Sequence, residues 1–443
     1  MRKKILSMLL CVAMAAMTLT GCGAGSQEDD SVGRVYYMNF KPEVTEVWEE
    51  IAEVYQQETG VEVKVVTAAG GNYESTLKSE IAKTNAPTLF QINGPVGYQA
   101  WKDYCADLSD TEFYQALTDK DLAVKGEDGG VYGVPYTIEG YGIIYNLDIM
   151  NKYFAMEGAK VTSMDEINGF ETLKAVVEDM QAKKDALGIK GVFASTSLLP
   201  GEEWRWHTHL ANLPIHAEYE ANNVTDMSEI SFAYGEQFKN IFDLYLNNST
   251  TEPKMLGSKG VMDSMAEFAL GQCAMVQNGN WAWGQIAEVS GNVVKAEDIG
   301  LLPIYMGLDG EENQGLCVGT ENYFCINSQT SEANQKASAD FVYWLINSET
   351  GKDYMVNKLG NVAPFTTFGE EEKPSDPLAK SMLEIMESGK TSIPWIFTTF
   401  PSQTFKDHFG SALLEYAQGT MDWNSVENVV AEQWKTEKAI LVQ

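Results

Sequence analysis

Three short apolar runs, separated by segments of helical periodicity, constrain this chain most. Val35 to Met38 reads as a buried strand. Asn39-Phe-Lys-Pro42 then turns into a segment whose apolar positions are Val44, Val47, Trp48, Ile51, Val54 and Tyr55. Steps of three and four put these on one face of a helix, and Gly60 is placed to cap it. Val61 to Val66 is a second strand, with Val61, Val63 and Val65 on one face. The loop Ala68-Ala-Gly-Gly-Asn72 leads into a helix over Tyr73 to Lys83, and Pro87 to Ile92 is a third strand ending at Asn93-Gly94-Pro95. Strands alternating with helices predict βαβ units and hence an α/β fold with a parallel sheet. Ligands of open α/β sheets bind beyond the carboxyl ends of the strands. Those ends carry Asn39 and Lys41, then Gly70 and Asn72, then Gln91 and Asn93. Each is either a ligand contact or a residue its turn requires.

The N-terminus sets a compartment. Arg2, Lys3 and Lys4 precede an apolar run from Ile5 to Leu19 that is too short for a typical membrane span. Leu19-Thr20-Gly21-Cys22 follows, and small residues before a Cys at this distance look like a bacterial lipobox. The expectation is a lipoprotein signal peptide over 1–21, cleavage before Cys22 and lipid on its thiol. Residues 22–32 read as a flexible polar tether. The 443-residue chain suggests about two domains beyond that point. Its net charge of −32 argues against nucleic acid or anionic lipid as partner. Cys105, Cys273, Cys317 and Cys325 form no CxxC and have apolar or aromatic neighbours, which suits buried thiols. A Cys317–Cys325 disulfide stays open.

Two further segments carry chemistry. Phe268 to Trp283 reads as a helix end, a turn at Gly271, a buried strand from Ala274 to Val276, and an Asn278-Gly279-Asn280 turn that ends the strand. Trp281 and Trp283 follow at once. An indole held on a rigid turn presents a flat face that suits the apolar C–H face of a sugar ring; the alternative is that both are core. Pro135 to Asn146 is the second segment, and it sets Glu139 among apolar residues. A carboxylate there accepts hydrogen bonds from two adjacent hydroxyls.

The pattern Phe268, Gly271, Ala274-Met275, Asn278-Gly279, Trp281-Ala-Trp283 closely resembles one in maltodextrin-binding protein and its relatives, the extracellular solute-binding proteins of sugar ABC transporters. Pro135, Glu139 and Ile144-Tyr-Asn146 resemble the hinge strand of that family. Ile299 to Pro303 and Gly315 to Asn327 resemble its return crossing, and Gly360 to Pro364 its third crossing. The resemblance implies a two-lobed, type II periplasmic-binding-protein fold, each lobe a mostly parallel sheet flanked by helices. Lobe 1 would comprise 33–138 with 314–367, and lobe 2 would comprise 139–313 with 368–443, joined by hinge strands.

By the same resemblance Trp281 stacks on sugar, Trp283 packs, Glu139 takes sugar hydroxyls, and Trp395 lies near a second stacking position. Asn39, Lys41, Asn93, Gln91, Gly70 and Tyr141 complete the expected binding set. Trp204-Arg-Trp-His-Thr-His209 has no family counterpart and is a candidate extra subsite. The Gln91 to Pro95 loop lacks the family's aromatic and its Asp-Arg pair, which leaves the identity of the sugar open.

The implied partners are a carbohydrate, the permease subunits of an importer, and the membrane through the N-terminal lipid, with the chain a monomer outside the cell membrane. No cofactor, metal or catalytic residue is expected. His207 and His209 read as surface histidines, and no HExxH, P-loop or GxSxG occurs. With 63 acidic residues, paired carboxylates arise by chance and do not single out a glycosidase. A secreted glycoside hydrolase and a binder of peptide or polyamine remain as rivals, as does a purely sensory lipoprotein.

Overall fold

The computed structural model describes residues 33–68, 72–369 and 371–441. The expected signal peptide over 1–21, the expected tether over 22–32 with Cys22, and Gly70 lie outside the described residues.

The strands are β1 (Val35–Asn39), β2 (Val63–Thr67), β3 (Leu89–Asn93), β4 (Val124–Lys125), β5 (Val131–Pro135), β6 (Glu139–Asn146), β7 (Met275–Gly279), β8 (Ile299–Leu302), β9 (Gln314–Gly319), β10 (Asn322–Ile326) and β11 (Thr391–Pro394). They form two sheets. The first runs β2-β1-β3-β10-β5-β4, and the second runs β11-β9-β6-β7 with β8 also on β6.

The leading βαβ units fold as their periodicity dictates. The helix Thr45–Thr59 buries Trp48, Ile51, Ala52 and Tyr55, and Gly60 ends it at φ 76°, donating its N–H to the Gln56 carbonyl. β1 pairs in parallel with β2 and β3. Parallel pairing does not extend through both sheets, however. β10 runs antiparallel to β3 and β5, and β6 runs antiparallel to β7, β8 and β9. The sheets are therefore mixed rather than mostly parallel, because β6, β9 and β10 lie on segments that pass between them.

Both sheets are covered on both faces, as near-continuous apolar strands require. Trp48, Tyr55, Phe341 and Leu345 pack one face of the first sheet, and Leu77, Ile81 and Trp101 pack the other. The second sheet is enclosed by a large cluster containing Leu173, Tyr245 and Phe409, and by a smaller one containing Phe268, Ile286 and Met382.

Two sequence expectations change, and one open question closes. β9 belongs to the second sheet through β6 and β11, so the return to the first sheet falls at Gly319–Asn322 rather than at 314. β7 does not stop before Asn278; its pairing with β6 continues through Gly279 opposite Tyr141. Cys317 and Cys325 sit on different sheets and are both free and buried. The Cys325 sulfur instead lies 3.8 Å from that of Cys105.

The two bodies touch. Gly94 opens a helix of the first at φ +57°, and a Cβ there would fall 2.8 Å from Thr398 Cβ of the second. Only glycine takes that backbone cheaply and leaves room for the contact.

Candidate functional site

The carboxyl ends of β1, β2 and β3 share one edge, because these strands are parallel. Asn39 is fully buried there and shapes the turn. Its amide donates to the Lys41 carbonyl at 2.7 Å and to Thr67 Oγ1 at 3.1 Å, and its oxygen accepts from Lys41 N–H at 3.1 Å. This aims the Lys41 side chain across to β6, where its ammonium pairs with the Glu139 carboxylate. Burial alone would pull the Lys41 pKa down, but Glu139, through its charge and its hydrogen bond, together with Tyr136 and Glu43, outweighs it and holds the ammonium charged. Gln91 also serves the turn, accepting from Phe40 N–H at 2.6 Å.

The next strand along supplies residues the sequence did not single out. β3 and β10 place Asn93 directly opposite Asn322. Asn93 donates to Glu321 at 3.5 Å. Asn93 Oδ1, Asn322 Nδ2 and Thr320 Oγ1 are buried without partners. Burial pushes the Glu321 carboxyl up to about 7, against the pull of Lys406 on the helix Gln403–Gln418. This corner is thus rich in unused hydrogen-bonding capacity.

An aromatic basin faces it. The Asn278-Gly279-Asn280 segment is pinned to β6, with Asn280 and Gly140 exchanging two hydrogen bonds of 2.9 Å. Trp281 folds back over Gly279, where any Cβ would strike the indole. The indole is half-buried, with the Lys41 ammonium 5.5 Å from its ring centre. Trp204 lies 6.3 Å and Trp395 6.4 Å from Trp281, centre to centre. Trp395 packs over Gly319, which again leaves no space for a side chain.

His209 ties the basin together. It stacks on Tyr141 at 4.3 Å and 10°, and meets Trp204 edge-on at 4.9 Å. Tyr141 is fully buried beneath it and donates its hydroxyl proton to the His209 carbonyl. His209 and His207 are not surface histidines. Both are buried in Arg205–Leu210, a stretch with π-helical hydrogen bonding. Burial pushes His207 down to about 3 and His209 well below its ordinary value, so both imidazoles are neutral. Such π-turns recur at functional sites. Among the described residues no cluster of His, Cys, Asp or Glu is arranged to hold a metal.

The structure therefore gathers Trp281, Trp395, Trp204, Lys41 and Glu139 into one contacting group, with Asn93 at the carboxyl end of the nearby strand β3. It sets Asn39, Gln91 and Tyr141 behind them as supports. Trp283 packs against the cluster around Phe268, as Trp204 also does. His209, Phe397 (its ring 5.4 Å from His209 and 5.0 Å from Trp395, centre to centre), Glu321 and Asn322 were missed. The aromatic density of Trp204 to His209 was the available signal for the first, whereas Glu321 and Asn322 become visible only through β10 pairing.

A family model described as "Bacterial extracellular solute-binding protein" matches residues 50–380. The chain belongs to that family.

Solved structures agree on the architecture of this solute-binding protein, which is the type II periplasmic-binding-protein fold. A structure of the binding protein RafE in complex with raffinose superposes at TM-score 0.71 with 20% identity, covering 91% of this chain and 99% of the other. A chitin oligosaccharide-binding protein gives 0.71 at 19% identity, covering 94% and 100%. A maltose-bound MalE3 of T. maritima gives 0.66 at 15% identity, covering 91% and 99%. Among curated proteins, the melibiose/raffinose/stachyose-binding protein MelE of Bacillus subtilis is 25% identical over 150 residues. That match spans 33% of this chain and 35% of MelE. No helix among the described residues is long and apolar enough to cross a membrane.

Proposed function

We propose that this solute-binding protein captures an oligosaccharide between its lobes and hands it to the membrane subunits of an ABC importer, without chemical turnover. The observation that carries this is the pairing of the two walls. Trp204, Trp281 and Trp395 supply broad apolar faces, while Lys41, Asn93, Asn322 and Glu321 supply hydrogen-bonding groups on the first sheet's side, with Glu139 of β6 paired to Lys41 between them. Sugars present both kinds of surface in alternation. Aromatic faces reward ring C–H contact, and buried polar groups penalise a ligand that leaves them unmatched by about 1–3 kcal/mol each. Raffinose, chitin oligosaccharide and maltose in the solved relatives support the class.

Lobe 1 would comprise 33–138 with 320–367 and lobe 2 the remainder of the described chain, closing by hinge rotation about the crossings. Cys22 would carry the lipid that keeps a monomeric protein on the outer face of the membrane. Cys22→Ser should then release it into the medium; continued sedimentation with membranes would refute the anchor.

The test of the ligand class is a thermal-shift screen against raffinose-type, chitin-derived and maltodextrin glycans, with peptides and polyamines alongside. A ligand that binds only the native state raises the melting temperature by mass action. A shift selective for one glycan family, with the glycan recovered intact, is the expected result. Shifts with peptides or polyamines alone would overturn the sugar assignment, and disappearance of the glycan would reveal a hydrolase.

A further inference from the structure

Behind the aromatic basin lies a cavity of about 10 Å³ lined by Ser195, Thr196, Arg205, Tyr245 and Gln277, together with Phe193, Ala194, Trp206 and Val276. It gathers an unusual set of unsatisfied groups. Arg205 is 1% exposed, yet Nε, Nη1 and Nη2 all lack a partner. Ser195 Oγ, Thr196 Oγ1, the Tyr245 hydroxyl and Gln277 Oε1 are buried and unpartnered around the same cavity. The Gln277 amide is oriented by its other end, which donates to the Arg205 carbonyl at 2.8 Å. Glu267 approaches Ser195 but is committed to Ser195 N–H, Thr250 and Lys259. Glu202 is the carboxylate whose charge acts on Arg205, and it accepts from Val261 N–H.

The charge balance decides what belongs there. The hydroxyls and Gln277 Oε1 can accept hydrogen bonds from the guanidinium, but all of them are neutral. Water is neutral as well. Only an anion compensates a buried positive charge. The cavity of about 10 Å³ is too small for phosphate, sulfate or a carboxylate, so the anion its size admits is a monatomic one. Burial pulls the guanidinium down to about 9, the expected sign for a charge without a counterion.

We propose that one halide ion, chloride in ordinary media, occupies this cavity against Arg205 and the hydroxyls of Ser195, Thr196 and Tyr245. The ion fixes the stretch that carries the basin. Arg205 lies between Trp204, whose ring is 5.4 Å from the guanidinium, and the helical turns leading to His209.

The test uses crystals of the whole chain grown in sodium bromide, read by anomalous scattering at the bromine edge. In parallel, melting temperatures are measured in sodium chloride, bromide and gluconate at equal ionic strength. An anomalous peak in the cavity, with a halide-specific gain of a few degrees that saturates, is expected. Thr196→Val keeps the side-chain shape and should shrink that gain, whereas Arg205→Met is the harsher variant that could fail to fold. Ordinary water density without anomalous signal would overturn the proposal, as would a guanidinium turned onto a carboxylate with the cavity filled. A peak at molar bromide without any halide-specific shift in solution would be an adventitious ion only, and would overturn it equally.

Discussion

The two walls of the cleft are built from opposite materials. On the first sheet, strand ends and the β9–β10 crossing present Asn93, Thr320, Glu321 and Asn322, whose buried polar atoms are largely unmatched within the protein. On the second, Trp204, His209, Trp281 and Trp395 interlock with ring centres 4.9–6.4 Å apart. Stacking tolerates any ring with an apolar face, whereas buried polar groups discriminate, because an unmatched one costs about 1–3 kcal/mol. In the proposed function, affinity and specificity would thus be divided between the lobes, and closure would join them. Lys41 and Glu139 stand at the seam, one at the end of β1 and the other at the start of β6.

The seam is where a single change should do most damage. The Lys41 and Glu139 side chains are 11% and 5% exposed. Lys41→Met leaves the carboxylate buried and unpaired, which should cost about 3 kcal/mol of stability. Adding Glu139→Gln should recover most of that loss, since the double variant holds no uncompensated charge. Urea unfolding of the set checks both; a double variant no better than Lys41→Met would mean that the pair is not the cause.

Next in size is the basin. Trp281→Ala should weaken sugar binding at least about tenfold, or roughly 1.4 kcal/mol, with little effect on folding because the indole is half-buried. Calorimetry on the folded variant decides, and an unchanged affinity would remove Trp281 from the ligand surface. Closure itself is probed at Gly94. Gly94→Ala strains a left-handed backbone and drives a Cβ against Thr398. We expect affinity to fall several-fold, and a second change, Thr398→Ala, to restore part of it. No restoration would assign the whole effect to backbone strain rather than to the contact between lobes.

The sequence was most legible where one segment carries the whole signal. Apolar spacing located the helix Thr45–Thr59 and its Gly60 cap, because these depend on neighbours in the chain. What depends on pairing across the chain was hidden. Nothing near residue 321 announces that β10 inserts beside β3 and sets Asn322 against Asn93. The histidines misled for the same reason. Two His spaced by one residue suit an exposed strand, but here a π-helical turn buries both, and His209 gains Tyr141 as a stacking partner from residues far off in sequence. The antiparallel neighbours of β6 were likewise invisible, since strand direction is set by which lobe a crossing segment comes from.

The smallest expected effect is a pH dependence that sharpens the contrast between the walls, because the aromatic wall holds no group that titrates near neutrality. Burial raises Glu321 from 4.5 to about 7, while Lys406, Lys41, Glu139 and Glu43 bear on it with opposing signs. Between those values the native carboxyl keeps a proton that the unfolded chain has released. Native protein binds more protons there, so this contribution to stability is complete below about pH 4.5 and is lost as pH rises toward 7. Glu321→Gln mimics the protonated form and should remove that slope, leaving the rest of the pH profile in place. Comparing urea unfolding at the two ends of this window, wild type against variant, isolates the group from others that titrate nearby. An increase in the difference with pH, instead of a decrease, would mean that Lys406 holds Glu321 as a carboxylate. The first wall would then meet its ligand with an ion pair rather than with a hydroxyl-donating acid.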